Sequence, residues 1–463
     1  MSNLDEISGW LRDQLPGLLA KHRVPGAAIA VSVGPDVVDF AAGLLSKSTG
    51  VEATADSLFQ VGSITKLWTS SLIMQLADEG KIDVDAPVRR YLPEFRIADE
   101  AAAAEITVRQ LLCHTAGFEG DIFTDTGPGD DCIEKFVATL GSVPQLFPPG
   151  EMFSYNNAGF CVLGRVVEVL RGKQYDACLR EHLFAPLGLT HAATSANEAI
   201  LYRAAVGHIE PGPDAEPQPA PVWSLARSNA PAGSMLSMRP RDLLTFARMH
   251  MSGGTAADGT AVLSATTVQA MQEPQVKLPN LGIMGDRWGL GWEMFDWPGG
   301  TVIGHDGGTI GQSAFLRLVP GRDVAIALLT NGGDGIGLYA HVYRHLLREL
   351  AAVELPPMPL PPAEPARVDA GRYLGTYSCD VADMTVTQDQ DGRLWVEQVP
   401  KGVIAQMGAQ PERHELVRLD GDTFVTAEPE HGVHMPHVFV GDDGSGRSLY
   451  LHSGRAIRRQ PSD

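Results

Sequence analysis

The chain has 463 residues, 44% hydrophobic and 20% charged, which is ample for a sizeable core and excludes wholesale disorder. Its formal net charge of −20 opposes binding to nucleic acid and anionic lipid, so the expected partner is a small molecule, peptide or protein. The cysteines at 113, 132, 161, 178 and 379 show no CxxC or Cys/His spacing, which predicts reduced thiols and neither a disulfide framework nor a metal site. The acids of "MSNLDEISGW" stand where a secretion signal carries basic residues, and no apolar run reaches transmembrane length, so a cytoplasmic protein with no membrane partner is expected.

In chain order, Leu4, Ile7, Trp10, Leu11, Leu15, Leu18 and Leu19 recur at helical intervals until "RVPG". "AAIAVSVG" and "VVDFAAG" read as two strands turning at Gly34-Pro35-Asp36. A helix is predicted from Ile64 to Glu79, ended by Gly80. Residues 87–270 mix helices with long loops, and one helix over 158–171 stops at Gly172. "WGLGWEMF", "TVIGH", "QSAFLRLV" and "VAIALLT" then suggest an antiparallel meander, followed by a helix at 336–351. Six prolines between 356 and 365 predict an extended linker. Beyond it, "MTVTQDQDGRLWVEQV", with a turn at Asp391-Gly392, opens a small all-β region. The expected division is a domain over 1–353, a linker over 354–369 and a β-domain over 370–463.

"GSITKLWT" places Lys66 three residues after Ser63, and only this one of the chain's lysines has a serine there. On a helix the two share a face. A capped surface helix would also carry such a pair, but the chemistry of a nucleophile fits it. A serine hydroxyl attacks only when a neighbour takes its proton, and a lysine can do so if burial and positive surroundings depress its pKa. A helix N-terminus supplies positive potential and can aim the Ser63 N–H at an oxyanion. Two further stretches point the same way: Tyr155-Asn156-Asn157, after a Pro-Pro-Gly turn, and His305-Asp306-Gly307-Gly308, whose glycines let a ligand lie against a strand.

These motifs resemble the serine β-lactamase and penicillin-binding-protein superfamily, on its class C and D-aminopeptidase/esterase side. Ser63-x-x-Lys66, "ITVRQLLCHTAGF", Tyr155-x-Asn157, "APAGSMLSMRPRDLLTF", "WGLGW" and His305-x-Gly307 follow in that superfamily's order. The resemblance implies an α/β (α+β) transpeptidase-like domain, with an antiparallel sheet flanked by helices and a helical subdomain. A small lipocalin-like β-barrel follows. It implies Ser63 as acylated nucleophile, and Lys66 and Tyr155 sharing proton traffic, with the base unassigned between them. Asn157 would bind the acyl-chain amide, and the Ser63 and Gly308 N–H groups would form the oxyanion hole beside Gly307. No cofactor is implied.

The third motif departs from the Lys-Thr-Gly of many relatives. Histidine at 305 weakens a β-lactamase reading, and its role stays open. His452-Ser453-Gly454 repeats His-x-Gly in the β-domain and reads as structural, as does His114. Trp288, Trp292 and Trp297 read as core or pocket wall. The chain is most similar to penicillin-binding-protein-type thioesterases. This similarity implies transfer of a nonribosomal peptide from a peptidyl carrier protein onto Ser63, then head-to-tail macrolactamisation at a D-configured C-terminal residue. A hydrolase of D-amino-acid peptides, amides or esters uses the same residues, and a non-catalytic superfamily member is the third alternative. The β-domain is expected to close over the site and contribute Arg447 from "DGSGRS" to grip a substrate carboxylate or carbonyl. A solvated loop arginine is the alternative there.

Overall fold

The computed structural model describes residues 3–212, 215–406, 408–430 and 432–461. A nine-stranded antiparallel sheet organises the first three quarters of the chain. From one edge the strands run Val51–Glu52, Asp36–Ser46, Gly26–Val33, Val324–Thr330, Gln312–Val319, Gly300–Thr309, Glu293–Trp297, Arg287–Trp288 and Val276–Lys277. The chain starts the sheet near one edge, leaves it for some 220 residues of mostly helical structure, and returns to complete it.

Both faces of the sheet are covered, which is why its central strands read as continuous apolar runs rather than as an alternation. Ala27, Ile29, Val31, Ile326 and Leu328 pack beneath the helices Asn3–Lys21 and Gly335–Ala351. On the opposite face Ala28, Ala30, Ala325, Ala327 and Leu329 meet the helical region. Small alanines there let the helix Pro240–Met251 lie close to the strands.

The predicted helix 64–79 is the helix Thr65–Asp78, entered through a single 3₁₀ turn at Gly62–Ile64. The predicted 158–171 helix is Asn157–Arg171, capped by the Asn156 side chain and ended by Gly172 in the left-handed conformation. "WGLGWEMF" is not one strand. It breaks between Trp288 and Glu293 because Gly291 adopts φ +90°, and a Cβ there would lie 2.4 Å from Ser70 Oγ on the 65–78 helix.

Residues 375–459 close an eight-stranded antiparallel barrel, whose first strand, Gly375–Ser378, pairs with its last, Ala456–Arg459. Tyr373, Tyr377, Phe424, Phe439 and Leu451 fill its interior, so it is packed rather than hollow. Among the described residues, no helix is long and apolar enough to cross a membrane.

One hairpin of the barrel seams it to the larger unit. Tyr450 donates its hydroxyl to the Leu146 carbonyl (2.9 Å) and His452 Nε2 donates to Phe153 O (2.8 Å). The Tyr155 N–H donates to Gly454 O (3.0 Å), and the Ala456 N–H donates to Ser154 Oγ (3.1 Å). His452 is therefore a structural residue, as the sequence predicts.

Candidate active site

Ser63 lies in the 3₁₀ turn that opens the 65–78 helix, and Lys66 lies in that helix's first turn. Lys66 Nζ is 3.0 Å from Ser63 Oγ and donates to Ala232 O at 2.6 Å. Lys66 is fully buried, and burial pushes its pKa from 10.5 down to about 7; the nearby Arg455 charge lowers it further, whereas Cys161 and Asp121 act against the shift. A lysine so placed is substantially neutral at pH 7 and can take a proton from the serine.

Glycines make this turn possible. Gly62 has φ +52°, and a Cβ on it would meet Gly308 N at 2.7 Å. A Cβ on Gly307 would fall 2.0 Å from Val61 O. The Ser63 turn and the 300–309 strand thus touch backbone to backbone, which brings Gly308 beside the nucleophile. A Cβ on Gly308 would meet nothing, so that side of the strand is open to the cavity.

Tyr155 lies between two basic groups, with Lys66 Nζ 4.8 Å from its ring centroid and the Arg455 guanidinium carbon also at 4.8 Å. Burial raises its pKa strongly, and a hydrogen bond with Ser63 pulls it partly back, so it is a neutral phenol at pH 7. His114 stacks on it at 4.3 Å and accepts from the Asn156 N–H at 2.9 Å. His114 supports the tyrosine, in line with its structural reading.

His305 is also buried, and burial, then the Lys66 charge, depress its pKa to about 3. Its Nδ1–H donates to Asp306 O at 2.6 Å, which leaves Nε2 as an acceptor. That nitrogen is buried without a partner among the described residues. The neutral imidazole therefore offers a lone pair where a lysine would offer a charge.

Asn157 donates one Nδ2–H to Asp121 Oδ1 (2.7 Å), which fixes its amide and leaves its carbonyl oxygen and second N–H for a substrate. The other Asp121 oxygen accepts from Arg455 Nε at 2.8 Å. Arg455 corrects the expectation for Arg447. The 443–447 turn folds on itself, with the Arg447 N–H donating to Asp443 Oδ1 at 3.3 Å, and Arg447 does not line the cavity. The barrel does bring an arginine to the site, but from the tight turn between its last two strands. "HSGR" held the signal, because a His-x-Gly turn that anchors to Phe153 carries its next residue inward.

Ser63, Tyr155, Asn157, His305, Gly308 and Arg455 line one cavity of about 740 Å³. Residues 355–358 and the barrel residues Val433 and Met435 add to its walls, so the barrel and the chain leading to it line the site as well.

A serine beside a buried lysine, a neighbouring phenol and two backbone amides beside a glycine-edged strand define a serine acyl-enzyme hydrolase. Residues 11–350 match the beta-lactamase family, and the chain belongs to it. It is similar to penicillin-binding protein 4 of Amycolatopsis lactamdurans, at 44% identity over 79% of this chain and 96% of that one. An unguisins hydrolase of Aspergillus campestris is 25% identical over 92% of this chain and 86% of its own. The crystal structure of SurE is similar along the whole length, at 30% identity, 99% coverage of both chains and a TM-score of 0.77; its structure with D-Leu gives 0.74, with 98% and 99% covered.

Proposed function

We propose that the protein takes a peptidyl thioester onto Ser63 and releases the peptide by head-to-tail macrolactamisation. In the first step Lys66 accepts the Ser63 proton, Oγ attacks the thioester carbonyl, and the thiolate leaves with a proton returned through Tyr155. The Ser63 and Gly308 N–H groups hold the oxyanion. In the second step the peptide's own amine attacks the ester, its proton passes back through the Tyr155–Lys66 pair, and Ser63 leaves as a hydroxyl. The carrying observation is the depressed Lys66 beside Ser63 in a cavity whose far wall is supplied by the barrel. Walls on both sides of Ser63 can hold a tethered amine close to the ester, where it competes with water through proximity.

Arg455 grips a substrate carbonyl, and His305 Nε2 accepts from a substrate N–H. Full-length similarity to SurE, and a SurE structure that holds D-Leu, support a D-configured residue at the ester. Delivery by a peptidyl carrier protein belongs to the same reading. The similarity to a protein named as an unguisins hydrolase favours a second reading, in which water resolves the same acyl-enzyme.

The test is mass spectrometry of products from linear peptidyl thioesters ending in D- or L-residues, with Ser63→Ala as control. Products one water lighter than the linear acid, from D-ended substrates, support the cyclase. Linear acids alone from every substrate move the assignment to the hydrolase.

A further inference from the structure

The cavity has a part that acylation and aminolysis at Ser63 leave without a task. Strand Glu293–Trp297 pairs with residues 300–304 of its neighbour and goes no further. Among the described residues, 305–309 therefore pair on one side alone, with 312–316. The cavity turns around this edge, which no further strand covers among the described residues. Strand alternation puts His305 on the Ser63 face and Asp306 on the other, beside Phe295, Phe315 and Tyr339.

On that far side the cavity ends among Glu293, Asp306, Arg317, Phe295, Trp297 and Tyr339, roofed by linker residues 355–358. Arg317 and Asp306 bind one another through two bonds, of 2.6 and 3.0 Å, while Arg317 Nε has no partner among the described residues. Arg317 also lies over Phe295, at 4.4 Å from its centroid, and over Tyr339, at 5.1 Å. This pair is internally neutral. Asp296 at the mouth is bound to Arg287, while Asp286 accepts from the Asp296 backbone N–H at 2.8 Å.

Glu293 accepts from the Gly285 and Asp306 backbone N–H groups but keeps one oxygen unpaired. It is 3% exposed, it lines the cavity, and its Oε2 has no hydrogen-bond partner among the described residues. A buried carboxyl oxygen with no donor is costly, and one that faces a cavity is satisfied by what enters the cavity. Once Glu293 gives up its proton, the charge surplus of this limb is negative, from Glu293 and Asp286, and aromatic rings flank it. An incoming donor that carries positive charge meets both conditions.

We propose that this far limb binds a primary ammonium group of the substrate, with Glu293 as its counter-ion. The inference rests on the reading of the protein as an acyl-transfer enzyme for peptides, and it adds a chemical class: peptides that carry an amine beyond the reacting ester. Two sources supply that chemistry, a lysine-type side chain and a free N-terminus. Burial, then repulsion by Asp306, hold the Glu293 carboxyl up at about 8, with Arg317 pulling it back. An ammonium therefore displaces a proton as it binds, and selectivity for it rises from pH 6 to pH 8. A side-chain amine keeps its charge to about pH 10, whereas an N-terminal amine loses it near 8.

The experiment measures kcat/KM for thiol release, which reports acylation whether the product is cyclic or linear. Substrates are short peptidyl thioesters with one lysine moved through every position, the norleucine counterparts, and each of these with a free or acetylated N-terminus. The expected result is a wild-type preference of tenfold or more for one ammonium-bearing member. Glu293→Gln is expected to collapse that ratio through KM, and Glu293→Asp to restore part of it. Because the ratio compares two substrates on one enzyme, a loss of folded protein cancels. A ratio unchanged in Glu293→Gln, or no wild-type preference for an ammonium at any position, overturns the proposal. Lysine-dependent and N-terminus-dependent preferences each support it and identify the source. Failure of cyclisation with this ratio intact counts against the cyclase reading alone.

Discussion

Replacing Lys66 by methionine abolishes catalysis and, on the geometry above, stabilises the fold. The unfolded chain holds this amine charged below pH 10.5, while the native site releases its proton near pH 7. At pH 7 the difference costs the native state about 5 kcal/mol, at 1.4 kcal/mol for each pH unit of separation. Methionine fills similar space without that cost but strands the Ala232 carbonyl, which takes back about 1–3 kcal/mol. The expected net gain is about 2–4 kcal/mol at pH 7. Between pH 7 and 10.5 the native protein binds fewer protons than the unfolded chain, so wild-type stability rises with pH through that window and the gap to Lys66→Met closes. Urea unfolding of both proteins at pH 7 and pH 10 measures it, with covalent labelling of Ser63 as the activity readout. A methionine variant no more stable than wild type at pH 7, or a gap that ignores pH, would refute the reasoning.

Three further outcomes are expected. Acylation of Ser63 should rise with pH through about 7 as Lys66 loses its proton, and a rate flat from pH 5 to 9 would exclude Lys66 as acceptor. Arg455→Met should lower kcat/KM about 10- to 100-fold and move that midpoint upward, since the arginine's charge helps depress Lys66; Arg447→Met should do neither. Burial, then Asp121 and Asp380, hold Glu119 up at about 7, so the native state binds more protons than the unfolded chain between pH 4.5 and 7 and loses stability as pH rises there. Glu119→Gln should therefore exceed wild type by about 3 kcal/mol at pH 8 in urea unfolding, and match it near pH 4.5.

The fold class was legible because its signals are local. "VAIALLT" and its neighbours carry apolar runs between glycine turns, and they form the doubly covered sheet that such runs specify. Ser63 and Lys66 were legible for the same reason: spacing along one helical turn sets their 3.0 Å approach. Arg455 was not, because its place depends on which barrel turn meets residues 146–156, and nothing local in "DGSGRS" or "HSGR" encodes that docking. Glu293 was invisible as well. It follows "WGLGW" like any strand residue, and its missing partner emerges only when the neighbouring strand stops short. Gly291 misled in the opposite direction, since a glycine between two tryptophans reads as strand until Ser70 is packed against it.

The seam between Tyr155 and the 450–456 hairpin sets the order in which this protein can become active. Tyr450 meets a carbonyl 304 residues earlier, and the Tyr155 N–H is held by Gly454. At 5–20 residues per second a ribosome needs roughly 15–60 s to cross that interval. During it, Ser63 and Lys66 have already been made, but the tyrosine segment lacks its anchor and Arg455 does not yet exist. The nascent chain therefore carries a nucleophile without its full proton relay. The last hairpin completes the machinery, and clipping it would disarm the finished protein without touching a residue of "GSITKLWT".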